Sequence, residues 1–136
     1  MADYLLDTDH LSYMQKQIPS VVHRLSGLTI DDHVATSVVN AAELLQGIYL
    51  LPESGKRRAL MDFYSRLTQS FEIVPVTLPV AEKLAEVHVT LQRKGRPIPV
   101  NDEWIAAVAL VRGAVLVTND DHFRHVDRLK LENWTR

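Results

Sequence analysis

The chain has 136 residues, 46% of them hydrophobic, which fits a single globular domain spanning residues 1–136 with a substantial core. It contains no cysteine, which excludes a disulfide framework, a thiolate zinc site and a cysteine nucleophile. The net charge of −2 provides no overall basic field for nucleic acid, so such binding would have to come from local patches.

Short apolar runs alternate along the chain with stretches of helical period, a pattern typical of parallel strands joined by crossover helices. The first half predicts a strand at YLLD, helices at HLSYMQKQ and PSVVHRLSGL, a strand at HVATS, and helices at VVNAAELLQGIYLL and KRRALMDFYSRLTQ. The second half predicts a β-rich run at FEIVPV, a helix at LPVAEKLAEVHVTLQRKG, an extended connector at RPIPV, a helix at DEWIAAVALVRG, a strand at AVLVT and an edge strand at LKLENW. The fold class is therefore α/β.

The N-terminus lacks the charged leader and apolar stretch of a signal peptide, and no run approaches the roughly 18 apolar residues of a membrane span. We therefore expect a cytoplasmic protein with no membrane partner.

Four acidic residues occupy equivalent positions in the predicted elements. Asp7 ends the first strand, Glu43 lies near the start of the helix after VATS, Asp102 heads DEWIAAVAL, and Asp120 follows AVLVT. In an open parallel sheet, strand ends and the helix starts that follow them lie along one edge, where α/β proteins bind ligands. We therefore expect the four carboxylates to converge.

Each acid alone has an ordinary structural explanation. Asp102 fits a helix cap or first turn, Glu43 follows Asn40 at capping distance, and Asp120 fits a turn. Together, however, clustered carboxylates repel one another unless a cation offsets their charge. Hard oxygen ligands suit Mg²⁺ or Mn²⁺, and such a site favours phosphodiester chemistry.

The segments YLLDTDHLS, SVVNAAELLQG, PVNDEWIAAVAL and LVTNDDHF, with the closing LENW, resemble the ordered motifs of PIN-domain proteins. More narrowly, they resemble the VapC-type toxin ribonucleases of toxin–antitoxin pairs. The resemblance implies a three-layer α/β/α domain around a mainly parallel sheet, and an endoribonuclease that depends on Mg²⁺ or Mn²⁺. It also implies a cognate antitoxin protein and a homodimer that enlarges around that antitoxin.

The family's four acids fall on Asp7, Glu43, Asp102 and Asp120. We expect Asp7, Asp102 and Asp120 to hold one or two ions, with Glu43 completing the metal ligands or orienting the attacking water. The family often has Asn where this chain has Asp9, which either joins the metal ligands or holds its own loop; we expect the loop role.

Cationic residues near the acids are candidates for gripping the RNA backbone. Trp104 is expected in the core or a dimer contact rather than stacked on a base. His122 and His125 are three residues apart, but without a third ligand or thiolates they do not predict a zinc site. Ser37 and Thr118 stand beside two of the acids, where hydroxyls either support the ligands or simply end strands. The candidate phosphate contacts are Arg93, Lys94, Arg96, Arg112, Arg124, Arg128 and Lys130.

Two other functions compete with this hypothesis. LLDTD also resembles the opening motif of haloacid-dehalogenase-type phosphatases, with Asp7 as nucleophile, Asp9 as general acid, and Asp120 or Asp121 binding Mg²⁺. That function leaves Glu43 and Asp102 without a task. A catalytically silent module that uses the same fold only for partner binding is the other alternative.

Overall fold

The structure is a computed structural model that describes residues 2–136, and it is built around a five-stranded sheet. The strands are β1 (Asp3–Leu6), β2 (His33–Ser37), β3 (Glu72–Val74), β4 (Val115–Val117) and β5 (Lys130–Glu132). The helices are α1 (Thr8–Gln15), α2 (Pro19–Ser26), α3 (Val38–Tyr49), α4 (Gly55–Ser70), α5 (Leu78–Lys94) and α6 (Val100–Arg112), followed by a short 3-10 helix (Asp121–His125).

The sheet has the strand order β3-β2-β1-β4-β5, and every adjacent pair is parallel. Successive residues of β1 point to opposite faces, since Leu5 belongs to one hydrophobic core while Tyr4 and Leu6 belong to the other. The first core lies against α5 and α6, and the second lies against α1 to α4. This is the expected three-layer α/β/α fold, and Trp104 packs partly buried against the first core.

The connections change direction at the centre of the sheet. From β1 the chain steps outward to β2 and β3 through helices on one face, then returns through α5 and α6 on the other face to β4, beside β1. In open α/β sheets this reversal opens a crevice at the carboxyl ends of the two diverging strands, which is the usual ligand site. Here that crevice lies beyond the ends of β1 and β4.

Most predicted elements are present, with shifts at their ends. Helix α6 begins at Val100, inside the segment expected to be an extended connector, so Asp102 lies in its first turn rather than at its cap. Strand β3 covers only three residues of the predicted FEIVPV run. The 3-10 helix after β4 was not predicted, because its five residues are too short to show a period.

A glycine follows each of the two helices in the second half of the chain, α5 and α6. Gly95 after α5 and Gly113 after α6 have φ of 68° and 69°, the left-handed conformation in which glycine carries no steric penalty. Gly113 turns the chain directly into β4, which places the loop after β4 opposite the first turn of α6.

Within residues 2–136, no helix combines the length and apolar composition needed to cross a membrane.

Candidate active site

The four acids predicted from the sequence lie at the carboxyl edge of the sheet. Asp7 directly follows β1, Asp120 follows β4, Asp102 lies in the first turn of α6, and Glu43 lies in the second turn of α3. The acids are far apart in the sequence but close in the fold, because the connections change direction after β3 and place β4 beside β1. The topology therefore brings all four acids to one edge, but of the four only Asp102 and Asp120, together with His122, have ligand atoms within 4.8 Å of one another.

Asp7 is buried at the centre of this edge and is held by uncharged donors. Its Oδ1 accepts hydrogen bonds from the Thr8 backbone N–H (2.9 Å) and from Asn40 Nδ2 (3.1 Å), and its Oδ2 accepts one from the Thr118 hydroxyl (2.7 Å). Burial, followed by the charge of Asp9, raises the pKa of Asp7 to about 6, although the Thr118 and Thr8 hydrogen bonds oppose the shift. The fold therefore keeps a carboxylate in a place where its ionised form is disfavoured.

Glu43 lies on the rim of the site and is oriented from two sides. The Thr8 hydroxyl donates to its Oε1 at 2.7 Å, and Asn101 Nδ2 donates to its Oε2 at 3.3 Å. Asn40 Nδ2 in turn donates to the Thr8 hydroxyl at 3.0 Å as well as to Asp7. Asn40 and Thr8 thus couple the orientation of Glu43 to that of Asp7.

Asp102 and Asp120 face each other, with His122 between them. His122 Nδ1 lies 3.1 Å from Asp102 Oδ2 and 3.2 Å from Asp120 Oδ1. Burial raises the pKa of Asp102, whereas the hydrogen bond to Asp102, together with the charges of both acids, raises the pKa of His122. One ligand atom from each of these three residues lies within 4.8 Å of the other two, a spacing compatible with a shared metal ion.

Asp9 lies near Asp7 but makes its shortest hydrogen bonds outside this trio, where it fixes the loop after β4. Its Oδ2 accepts the Asn119 backbone N–H at 2.8 Å, and its Oδ1 lies 2.7 Å from Nδ1 of the fully buried His10. The Trp134 backbone N–H donates to His10 Nε2 at 3.1 Å, so Nδ1 of the neutral ring carries the proton that Asp9 accepts. Asp9 makes the contacts expected of a loop-holding residue, but it holds the loop after β4 rather than its own turn.

Several polar residues of the site were missed or misassigned from the sequence. The alternative explanation of Glu43 as a capping residue with Asn40 is wrong, because the capping box of α3 is formed by Ser37 and Asn40. Asn40 is fully buried. The feature of the sequence that could have indicated its role is an amide among the apolar residues of VVNAAELL, because a buried amide needs hydrogen-bond partners. Thr118, by contrast, was named from the sequence as a possible support for the acids, and it joins Asp7 to the loop after β4, since its hydroxyl donates to Asp7 and accepts the Asp120 backbone N–H at 3.0 Å.

The acidic cluster has few cationic partners in the part of the chain that the structure describes. Within residues 2–136, no lysine or arginine forms an ion pair with any of the four acids, and only His122 approaches two of them. Clustered carboxylates with this deficit favour a cation, and carboxylate oxygens with one imidazole suit a hard or borderline divalent ion. The donor set therefore fits Mg²⁺ or Mn²⁺.

The cationic candidates divide into those beside the site and those committed elsewhere. Arg96 and Arg124 line a cavity of about 340 Å³ that includes His122 and His125 and so adjoins the acids. The expectation for Arg112 was wrong, because it pairs with Asp3 and Glu72 at the opposite edge of the sheet.

Two other cationic candidates are also turned away from the acids. Lys94 pairs with Asp127, so its ammonium is already neutralised by the chain. Lys130 begins β5 and therefore lies at the amino edge of the sheet, opposite the acids. Arg96 and Arg124 are thus the candidates that line a cavity next to the acids.

Comparison with known proteins gives a consistent result along the whole chain. The PIN domain family model matches residues 4–129. The chain is 30% identical over 135 residues to Ribonuclease VapC1 from Haemophilus influenzae strain R2866, with 98% of each chain covered.

Two solved structures resemble the fold over nearly its full length. One is VapBC-1 from nontypeable Haemophilus influenzae, with a TM-score of 0.87, 27% identity and coverage of 98% of this chain and 99% of that one. The other is VapBC-5 from Mycobacterium tuberculosis, described as a member of the VapBC family of toxin-antitoxin systems, with a TM-score of 0.75, 30% identity and 98% of each chain covered.

Proposed function

This chain belongs to the PIN-domain family, within its VapC ribonuclease branch, and on that premise we propose that it is a divalent-metal-dependent endoribonuclease acting as the toxin of a type II toxin–antitoxin pair. The observation that carries the proposal is the cluster of Asp7, Glu43, Asp102 and Asp120 at the switch point of the sheet, without a lysine or arginine partner among residues 2–136. A cluster of this kind is costly unless a cation binds to it.

Asp7, Asp102 and Asp120 are the residues that would hold Mg²⁺ or Mn²⁺, with Glu43 completing the ligands or orienting the attacking water. A divalent ion bound there neutralises charge on a phosphate and lowers the pKa of water. Thr8, Asn40 and Thr118 keep the carboxylates in place by donating hydrogen bonds to them.

The contacts of Glu43 support the proposed role in directing water. Both of its oxygens already accept one hydrogen bond, from Thr8 and from Asn101, so the carboxylate plane is set before substrate arrives. Each oxygen retains a lone pair that can accept a proton from water. Preorientation of this kind lowers the entropic part of the barrier.

RNA must be gripped beside the acids, since the acids themselves repel phosphates. The cavity lined by Arg96 and Arg124 adjoins His122 and presents two guanidinium groups, which bind phosphate oxygens in a bidentate manner. We assign the RNA backbone next to the cut site to this cavity. Replacing either arginine with alanine should weaken RNA binding uniformly across sequences and reduce its salt dependence.

An antitoxin partner is supported by the solved relatives, two of which are VapBC assemblies. We propose that this chain binds a cognate antitoxin, that it forms a homodimer, and that the dimer enlarges around the antitoxin. We also propose that it acts in the cytoplasm, where its RNA substrate is found. Light scattering of the chain alone and of the co-expressed pair measures both assembly states.

The contacts of Asp9 argue against the phosphatase alternative. A haloacid-dehalogenase-type general acid must be free to donate a proton to the leaving group, whereas Asp9 is occupied by the Asn119 N–H and by His10. Its partners would have to be broken before it reached a substrate bound at Asp7.

One experiment separates the three functions. Metal-free protein is incubated with RNA or with a small phosphomonoester, with and without Mn²⁺. The proposal expects RNA cleavage only with metal and no hydrolysis of the monoester. Hydrolysis of the monoester would favour the phosphatase, and inactivity on both would favour the silent binding module.

The ends of the RNA fragments report the reaction itself. In-line attack by water expels the ribose 3′ oxygen and leaves 5′-phosphate and 3′-hydroxyl ends, with no chemical part for the 2′-hydroxyl. The new 5′ ends should therefore be ligatable without kinase treatment. A general base such as His122 or His125 would instead leave 2′,3′-cyclic phosphates, and such ends persisting in EDTA would exclude the four acids from the reaction.

A further inference from the structure

His122 occupies a position that the four acids do not explain. It lies three residues from His125 in the sequence, yet only His122 has a nitrogen among the acids, while His125 lines the neighbouring arginine cavity. Its Nδ1 is within 3.2 Å of one oxygen from Asp102 and one from Asp120. The imidazole therefore stands where a ligand of the same ion would stand.

The distances match those between neighbouring ligands of a divalent ion. In an octahedral site with metal–ligand bonds near 2.1 Å, adjacent ligand atoms are about 3.0 Å apart. The observed separations of 3.1 Å and 3.2 Å from His122 Nδ1 to the two carboxylate oxygens are close to that value. All three atoms lie within 4.8 Å of one another, so they can surround one ion once His122 Nδ1 releases the proton that it shares with the carboxylates.

The backbone holds His122 in this position. Asp120 caps the short 3-10 helix by accepting the His122 backbone N–H at 2.9 Å, which folds the side chain of His122 back toward the carboxylate that precedes it. The ring is about half exposed, so it can reorganise around an ion that enters from solvent. The sequence spacing of His122 does not predict this position, because the Asp120 cap sets the turn of the 3-10 helix.

We propose that His122 is a nitrogen ligand of the metal site and that it shifts the site's preference from Mg²⁺ toward Mn²⁺. This inference rests on the metal dependence in the proposed function. An imidazole nitrogen is a softer ligand than a carboxylate oxygen and suits transition metals better than Mg²⁺. His122 is thus a determinant of metal selectivity rather than a second member of a zinc pair with His125.

Electron spin echo spectroscopy of bound Mn²⁺ tests the ligand directly. Metal-free protein containing ¹⁵N-labelled histidine is loaded with substoichiometric Mn²⁺, and modulation from a directly bound nitrogen is recorded. We expect this modulation in the wild type, its loss in His122→Asn, and its retention in the matched control His125→Asn. Modulation that is absent from the wild type, or that survives in His122→Asn, overturns the proposal.

Metal affinity supplies the second readout. Asn offers an amide oxygen near the position of Nδ1, so His122→Asn should lower Mn²⁺ affinity at least about tenfold. Because Mg²⁺ prefers oxygen ligands, its affinity, measured by competition against Mn²⁺, should change by less than about threefold. An equal loss for both ions would mean that His122 only supports the site, and would overturn the selectivity role.

The two proposals can fail separately. If the wild type cleaves RNA with Mn²⁺ but shows no nitrogen coupling, only the assignment of His122 is overturned. If the metal-free protein binds no divalent ion in a saturable manner, both this inference and the metal dependence of the proposed function are overturned.

Discussion

The two ends of β1 carry the same residue type in opposite electrostatic settings. Asp3 at the start of the strand receives the Arg112 guanidinium, which also pairs with Glu72, and Arg112 followed by His33 lowers the pKa of Glu72 to about 2. Asp7 at the other end meets only uncharged donors, and burial raises its pKa to about 6. The acids at the amino edge of the sheet thus share the Arg112 cation, whereas within residues 2–136 Asp7 at the carboxyl edge has no lysine or arginine partner.

The difference separates structural acids from functional ones. Where a carboxylate serves only the fold, a partner of opposite charge within the chain offsets its desolvation, as Arg112 does for Asp3. Where no cation of the chain is provided, the deficit destabilises the metal-free fold unless an external cation binds. A search for acids without partners at the carboxyl edge would find this site without any comparison to relatives.

The largest effect should separate Asp7 from Asp3. Asp7→Asn or Asp102→Asn should reduce metal-dependent RNA cleavage by about 10³-fold or more, because metal ligation contributes several kcal/mol to stabilising the transition state. Asp3→Asn, at the other end of the same strand, should keep cleavage within about threefold of the wild type. Rates are measured on one RNA substrate at saturating Mn²⁺.

The same variants should differ in living cells. Expression of the wild type alone should slow bacterial growth, and expression of Asp7→Asn should not. Equal cleavage by Asp7→Asn and Asp3→Asn in the purified proteins would remove the distinction between the two edges.

Metal binding should raise the stability of the fold only in proteins that keep the Asp7 carboxylate. Mn²⁺ at about 100 times its dissociation constant adds about 2.7 kcal/mol to stability, which corresponds to roughly 5 to 10 °C in Tm for a domain of this size. We expect this shift in the wild type and in Asp3→Asn, and its loss in Asp7→Asn. In the absence of metal, Asp7→Asn should be at least as stable as the wild type, since it removes a buried charge.

The control for this measurement is the metal-free starting state, verified by elemental analysis. An unchanged Tm for metal-free wild type on addition of millimolar Mn²⁺ would count against a clustered metal site.

A smaller effect is expected at Asp9. Asp9→Asn keeps an oxygen that can accept the Asn119 N–H, so the loop after β4 should remain in place and cleavage should fall less than about tenfold. Cleavage kinetics and Mn²⁺ affinity are measured together. Inactivity as complete as that of Asp7→Asn, together with lost metal affinity, would make Asp9 a metal ligand.

The smallest effect concerns acid stability at the amino edge. Because the folded-state pKa of Glu72 lies below its ordinary value of 4.5, the pair with Arg112 stabilises the fold above pH 4.5 and loses this contribution as pH falls toward about 2. Glu72 is partly exposed, so Glu72→Gln should cost under about 1 kcal/mol at pH 7. Urea unfolding at several pH values should show that this difference from the wild type disappears near pH 2.

That measurement also has a matched counterpart at the other edge. Asp7→Asn in metal-free protein should not show the same loss of stability at pH 7, since the Asp7 carboxylate lacks a cationic partner. A cost at neutral pH similar to that of Glu72→Gln would mean that the hydrogen bonds accepted by the Asp7 carboxylate outweigh the cost of burying its charge.

The alternation of apolar runs and helical periods was sufficient to predict the strands and the helices that connect them, because burial on a two-sided sheet imposes those periods. Asp7, Glu43, Asp102 and Asp120 could be assigned to one edge, because parallel strands place all their carboxyl ends together. The PIN-family resemblance rested on the same segments and is confirmed by the family match over residues 4–129.

Tertiary structure alone decided which charges meet. Arg112 is ten residues from Asp102 in the sequence, but α6 carries it about 15 Å along its axis to the opposite edge, where it binds Asp3 and Glu72. His122 reaches the acids because Asp120 caps a five-residue 3-10 helix that has no sequence period. The sequence by itself determined the strand ends at which the acids lie, because strand positions depend on local periodicity. The tertiary structure decided which residues pair with the acids, because those contacts depend on long-range packing that no local pattern encodes.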